Sequence, residues 1–317
     1  MKKNLMMKVA SLMLILALAS TCMIGTTFAK YVTEDQASDT ARVAKWGITV
    51  ATSGTLFGNL YAANSVGTPA ANQIAASSTN VASTVDVVAP GTKNTTGLKV
   101  AITGQPEVAY NVTLSANASN EDIYLVEGEY AVMVEVFGLN DASDVVGLYT
   151  KDASNTYTVV PSGSAWDKDT TYYARHDLAT VGAGGYYPIQ WTVTDNSVSP
   201  AVSTNYRNAA DVIAKLDDMN GTRNANVAAT DNLTVTWDWA FDTADNAYSN
   251  SAADTILGNL MAATVGVTNI VKLNGTSGVY EAITVTAEKT ATVGTTPTTI
   301  ANLEVFFGFG VIVEQVN

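Results

Sequence analysis

The sequence has one side chain suited to acid–base work near neutral pH: His176, the sole histidine among 317 residues. A zinc site of the HExxH type needs two imidazoles and a tetrahedral thiolate site needs several sulfurs, whereas this chain has one histidine and one cysteine, Cys22. A Ser-His-Asp triad would have to use His176, which stands in Tyr172-Tyr173-Ala174-Arg175-His176-Asp177 beside an arginine, with no GxSxG elbow in the chain. It reads as a surface or strand-end histidine, and the chain is expected not to be an enzyme. Hard oxygen ligands are plentiful. Asp217-Asp218-Met219-Asn220-Gly221 comes nearest to an EF-hand loop, but that alignment puts Leu216 at the first ligand position and Val227 at the last. Asp242, Asp245 and Asp254, in the polar connection after Trp239, are the remaining calcium candidates, and no other metal or cofactor is expected. Gly182-Ala183-Gly184-Gly185 lacks the following Lys-Ser/Thr of a phosphate loop and reads as a turn. The pairs Tyr172-Tyr173 and Tyr186-Tyr187 have the chemistry to stack on sugars, set against the commoner role of strand-pairing or core residues.

The N-terminus explains the setting of these groups. Lys2, Lys3 and Lys8 precede an apolar run from Val9 to about Ile24, and Thr27-Phe28-Ala29 supplies small residues for signal peptidase, so cleavage is expected between Ala29 and Lys30. The run is short for a retained membrane span, and Ala19-Ser20-Thr21 before Cys22 is a poor lipoprotein signal, so the membrane enters only during export. Removing 29 of the 317 residues leaves 288 without a cysteine, and the loss of three lysines takes the formal charge from −13 to −16. A thiol-free exported chain must gain its stability from burial or assembly. Such acidity argues against nucleic acid as a partner.

Only 14% of residues are charged, against about a quarter in average globular chains, and Thr, Ser, Asn and Gly carry the polarity. Short β-branched and aromatic runs separated by turn residues predict an all-β fold, with strands at Ala41–Val50, Ser83–Val88, Leu98–Ile102, Glu107–Ser115, Tyr130–Phe137, Thr156–Val160, Thr171–Ala174, Tyr187–Val193, Leu233–Trp239, Gly266–Leu273, Val279–Ala287 and Leu303–Val316. Ala44, Trp46, Ile48 and Val50 share one face at period two, as do Leu233, Val235, Trp237 and Trp239, which is the pattern of half-buried strands. The last segment is apolar on both faces, with Phe306 and Ile312 on one and Val305, Phe307, Phe309, Val311 and Val313 on the other, and so predicts a central, doubly covered strand. Helices are expected at Asn208–Met219 and at Asp254–Met261, the latter with Asp254 as N-cap. Thr52–Ala82 reads as a long surface excursion, and about 141–205 as a candidate inserted subdomain within a single domain spanning 41–317.

The signal ending in Thr-Thr-Phe-Ala, the following Lys30-Tyr31-Val32, and Ala41-Arg42-Val43-Ala44-Lys45-Trp46-Gly47 resemble the TasA/camelysin family of Gram-positive secreted proteins. Leu233-Thr234-Val235-Thr236-Trp237-Asp238-Trp239 followed by Asp254-Thr255-Ile256-Leu257-Gly258 is similar to a second pattern of that family. The resemblance implies a jelly-roll-like antiparallel β-sandwich, processing by a SipW-type signal peptidase, and self-assembly into extracellular filaments of a biofilm matrix or cell surface. It further implies that the mature N-terminal segment completes a sheet of a neighbouring subunit, and that Trp46, Trp237 and Trp239 are core residues.

Carried onto this chain, the donor strand would lie in the extension 30–40, with Lys30, Tyr31, Val32 and Thr33 at the interface. Thr33–Thr40 is polar and holds Glu34, Asp35 and Asp39, so the more apolar C-terminal strand, through Val305, Phe307, Phe309, Val311 and Val313, is the second-choice donor. Two other readings stand beside the filament. One is a monomeric surface adhesin, although no LPxTG-like sorting signal stands in the sequence. The other is the camelysin-like metalloprotease, which a lone histidine hardly supports.

Overall fold

The computed structural model describes residues 42–57, 62–63, 87–240 and 250–316. The strands are β1 (Thr49–Ser53), β2 (Ala62–Ala63), β3 (Thr92–Thr103), β4 (Tyr110–Ala116), β5 (Tyr124–Leu125), β6 (Gly128–Val136), β7 (Tyr149–Lys151), β8 (Thr156–Val159) and β9 (Tyr172–Val181). There follow β10 (Gln190–Asp195), β11 (Val202–Tyr206), β12 (Gly221–Arg223), β13 (Asn232–Trp239), β14 (Gly266–Leu273), β15 (Tyr280–Val285), β16 (Thr290–Val293), β17 (Thr298–Asn302) and β18 (Phe309–Gln315). The α-helices among the described residues are α1 (Ala209–Leu216) and α2 (Ser251–Ala262). The fold is all-β and sandwich-like, as the alternating patterns predict.

Three antiparallel sheets build it. A six-stranded sheet runs β1-β3-β13-β10-β11 with β2 also on β3, and a three-stranded sheet runs β12-β4-β18. The third runs β14-β6-β9-β7-β8-β15-β16-β17-β5, and β14 also pairs with β15, so six of its strands close on themselves as a small barrel. One core draws on all three sheets and both helices, around Trp191, Trp237, Tyr110, Ile102, Leu216 and Ile256. Trp191 and Trp237 are cross-strand partners in β10 and β13. Phe57 stacks on Trp237 at 5.8 Å, and Phe307 lies 5.1 Å from Trp191. A second cluster takes Ala131, Met133, Tyr157, Val271, Tyr280 and Ala282, with Tyr149 and Tyr173 packed against it, from the six ring strands. It fills the barrel with side chains, as expected for so few strands.

The helices follow their local sequence. Asn208 caps α1 by accepting the Asp211 N–H at 2.8 Å, and Val212, Ile213 and Leu216 turn inward from it. The α2 cap is Asn250, whose Oδ1 accepts the Ala252 and Ala253 N–H groups at 3.1 Å. Asp254, expected as the cap, is instead a buried residue of the first turn.

Eight of the expected strands largely coincide with β3, β4, β6, β8, β10, β13, β14 and β15, and three more overlap β1, β9 and β18 in part. Thr171–Ala174 extends to ten residues as β9. Four segments differ from expectation. Ala41–Val50 is strand only from Thr49, because the Lys45 N–H donates to the Glu107 side chain and its carbonyl accepts the Glu107 N–H, which takes that stretch off the ladder. Of Ser83–Val88, Val87 and Val88 belong to no strand and the rest lies outside the described residues. Leu303–Val316 is strand only from Phe309. Its first half bonds to the Asn117–Glu121 loop, through Phe306 with Glu121 and through the Gly308 carbonyl with the Asn117 N–H. Within the expected excursion, Thr52 and Ser53 end β1, and Leu56 is buried beside Phe57 in the core. The stretch 141–205 supplies β7, β8 and β9 to the barrel and β10 and most of β11 to the six-stranded sheet, and it is tied to strands outside it through β8 with β15, β9 with β6 and β10 with β13.

Candidate interface at the N-terminal junction

Of the N-terminal junction, the described residues begin with Arg42. Arg42 grips Glu107 with both arms, Nη1 to Oε2 and Nη2 to Oε1, each at 2.6 Å. The Lys45 N–H adds a third hydrogen bond to the same carboxylate at 2.9 Å. The Arg42 hydrogen bonds first, and then the Lys45 amide, lower the Glu107 pKa to about 2. This fork against a carboxylate is the most directional ion-pair geometry available to arginine.

Past the clip, β1 pairs antiparallel with β3 from Thr49↔Thr103 to Ser53↔Lys99. Its ends meet the sheet through glycines. Gly104 has φ +124°, and a Cβ there would sit 1.8 Å from the Gly47 carbonyl oxygen; Gly54 has φ +88°, and its Cβ would sit 2.1 Å from the Gly97 carbonyl oxygen. Only residues without a Cβ permit such close backbone approach. Every residue of β1 is exposed. Trp46, expected in the core, is 41% exposed, Val43 is 62% and Val50 is 37%. The resemblance's other tryptophans are buried as expected, Trp237 at 1% and Trp239 at 5%.

The donor residues Lys30, Tyr31, Val32 and Thr33, with Ala29 and the remaining extension, lie outside the described residues. The second-choice donor is described. β18 pairs with β4 from Phe309↔Ala116 to Gln315↔Tyr110, at the end of the three-stranded sheet. It is thus an edge strand, not a doubly covered central one. Val305, Phe307, Phe309, Val311 and Val313 pack against the chain's own core, while Phe306 and Ile312 are 45% and 58% exposed. A two-sided apolar pattern matched a buried strand, but only one of its two faces is covered. Among the described residues no strand lies beyond β18, β11 or β1, so each offers a row of backbone N–H and C=O groups.

The other chemistry candidates separate. His176 sits on β9 opposite Val132, exposed, and its imidazole has no hydrogen-bond partner among the described residues. Asp242 and Asp245 lie outside the described residues. Asp254 is not in an acidic loop: it is buried, and its Oδ1 accepts the Tyr186 hydroxyl at 2.6 Å and the Trp239 indole N–H at 3.0 Å, tying α2 to β13. Among the described residues no three His, Cys, Asp or Glu side chains cluster as a metal site, and no helix is long and apolar enough to cross a membrane.

One residue escaped the sequence reading. Asp122 accepts the Trp191 indole N–H at 3.1 Å and the Ala209 N–H at 2.9 Å, capping α1 from 87 residues away; desolvation raises its pKa against those hydrogen bonds. No local pattern announces so distant a cap. Comparison with known proteins gives no match: no family model, no curated protein and no solved structure matches this chain.

Proposed function

We propose that the chain is a secreted structural subunit, processed after Ala29 by a SipW-type signal peptidase, that polymerises into extracellular filaments of a biofilm matrix or cell surface. In this reading the freed segment Lys30–Thr40 pairs with an open sheet edge of the next subunit, Tyr31 and Val32 providing the side-chain anchors. The observation that carries it is the junction itself: Val43, Trp46 and Val50 are apolar yet exposed, on a segment held to its own subunit by backbone pairing, one ion pair and the packing of Ile48 on the core. Apolar side chains that their own fold leaves exposed beside an open strand mark a surface fit for a neighbouring subunit. The outer edge of β18, with Ile312 and Phe306 exposed beside it, is an apolar open edge among the described residues.

Head-to-tail pairing of this kind does not close on itself, so it propagates. About eight ladder hydrogen bonds at roughly 1 kcal/mol each would hold a joint together. Negative-stain microscopy of the mature protein beside a variant lacking Lys30–Thr40 tests the reading. Filaments from the first and monomers from the second are expected; a mature protein that stays monomeric at high concentration, like the truncation, overturns it.

A further inference from the structure

Tyr124 and Tyr187 meet on the surface although 63 residues separate them, and the backbone explains why. The turn Gly182–Gly185, with Gly184 at φ +85° and Gly185 at φ +74°, returns the chain against β5, where a Cβ on Gly185 would lie 2.9 Å from the Leu125 carbonyl oxygen. Leu125 and Tyr186 then exchange both backbone hydrogen bonds, at 2.9 and 2.7 Å. Strand alternation sends Leu125 and Tyr186 into the core, 0% and 7% exposed, and Tyr124 and Tyr187 outward together. Their rings are 5.9 Å apart and tilted by 35°.

The pair forms a half-buried ridge between two adjoining clefts. One, of about 220 Å³, is lined by Val126, Glu127 and the Gly184–Gly185 turn. The other, of about 350 Å³, is lined by Asn120, Glu121, Asp122, Thr290 and Asn302. Asn120 Oδ1 accepts the Gly308 N–H at 2.6 Å, but its Nδ2 is buried without a partner. The polar atoms that face this second cleft are therefore those of Glu121, Asp122, Thr290 and Asn302 rather than the Asn120 Nδ2.

We infer that this groove binds a neutral oligosaccharide chain laid across Tyr124 and Tyr187. A pyranose has an apolar C–H face, which suits an aromatic ring, and a rim of hydroxyls, which suits amide and carboxylate side chains; the ridge and its flanking clefts offer both. Glu121, Asp122 and Glu127 around the groove repel anionic polymers such as polyuronates. The inference does not depend on polymerisation, so a chain lacking Lys30–Thr40 is expected to bind equally.

The test is an array of neutral hexasaccharides of glucose, galactose, mannose and N-acetylglucosamine, with polygalacturonate as the anionic comparison. Retention of at least one neutral hexamer is expected, weakened about tenfold by Tyr187→Ala and little changed by Tyr187→Phe, which keeps the ring. Tyr187 lies outside the strands, and circular dichroism checks that the variant is folded. If Tyr187→Ala does not fold, saturation-transfer NMR on the native protein decides: transfer from tyrosine ring protons to the sugar C–H protons supports stacking, and its absence overturns the proposal. Failure to retain any neutral hexamer, undiminished binding by folded Tyr187→Ala, or equal binding of polygalacturonate also overturns it.

Discussion

β13 and β1 flank the same strand, β3, and are held there by different forces. β13 alternates strictly between half-buried and buried positions, and Leu233, Val235, Trp237 and Trp239 are all at most 5% exposed. β1 makes a continuous ladder with the other edge of β3, yet none of its side chains is buried. One strand is fixed by burial of side chains, the other by backbone hydrogen bonds, two glycine contacts and the Arg42–Glu107 clip outside the strand. Because slips are resisted mainly where one face is buried, β13 is locked by its side chains even across the bulge between Val235 and Trp237, and β1 has less to hold its pairing in place. An exchangeable element at an interface needs that property.

The largest effect should come from β13. Trp237→Ala removes a side chain that packs on Phe57 and donates its indole N–H to the Leu56 carbonyl at 3.0 Å, so a loss of about 3–5 kcal/mol is expected in denaturant unfolding. A cost under about 1 kcal/mol would break the comparison from that side. Gly104→Ala comes next. Its Cβ would collide with the Gly47 carbonyl in a backbone conformation unsuited to a side chain, at a cost of about 1–3 kcal/mol. Amide hydrogen exchange should then show protection lost across Thr49–Ser53 and kept in β13. Equal loss in both strands would mean that β1 is as integral to the core as β13.

That contrast was half legible in the sequence. Leu233–Trp239 alternates cleanly and lies in a sheet covered on the predicted face, so pattern and outcome agree. Ala44, Trp46, Ile48 and Val50 alternate just as cleanly, but period two reports only that side chains share a face, not that anything covers it. The same limit applies to Leu303–Val316, where apolar residues on both faces belong to an edge strand. The barrel was hidden for another reason: its closure depends on β14 meeting both β6 and β15, and no local pattern records which strands are neighbours. Asp122 and the pairing of Tyr124 with Tyr187 are equally non-local. The helix expected over Asn208–Met219, by contrast, was readable because its apolar spacing is local, and Ala209, Val212, Ile213 and Leu216 are its buried residues.

The clip gives a finer test through pH. Glu107 is lowered from 4.5 to about 2 in the folded chain, so its contribution is fully present above pH 4.5 and is lost as pH falls through that range toward 2. Limited proteolysis near Arg42–Ile48 should therefore accelerate between about pH 5 and pH 2, while cleavage elsewhere stays level. Glu107→Gln should show the fast rate already at neutral pH, and an unchanged profile in that variant would assign the acid sensitivity elsewhere. The smallest effect belongs to Val50→Ala. With this side chain 37% exposed, unfolding of the monomer should shift by no more than about 0.5 kcal/mol. If Val50 works between subunits, the same change should raise the concentration needed for assembly. A loss of monomer stability comparable with that from a core valine would show that β1 is held by its side chains after all.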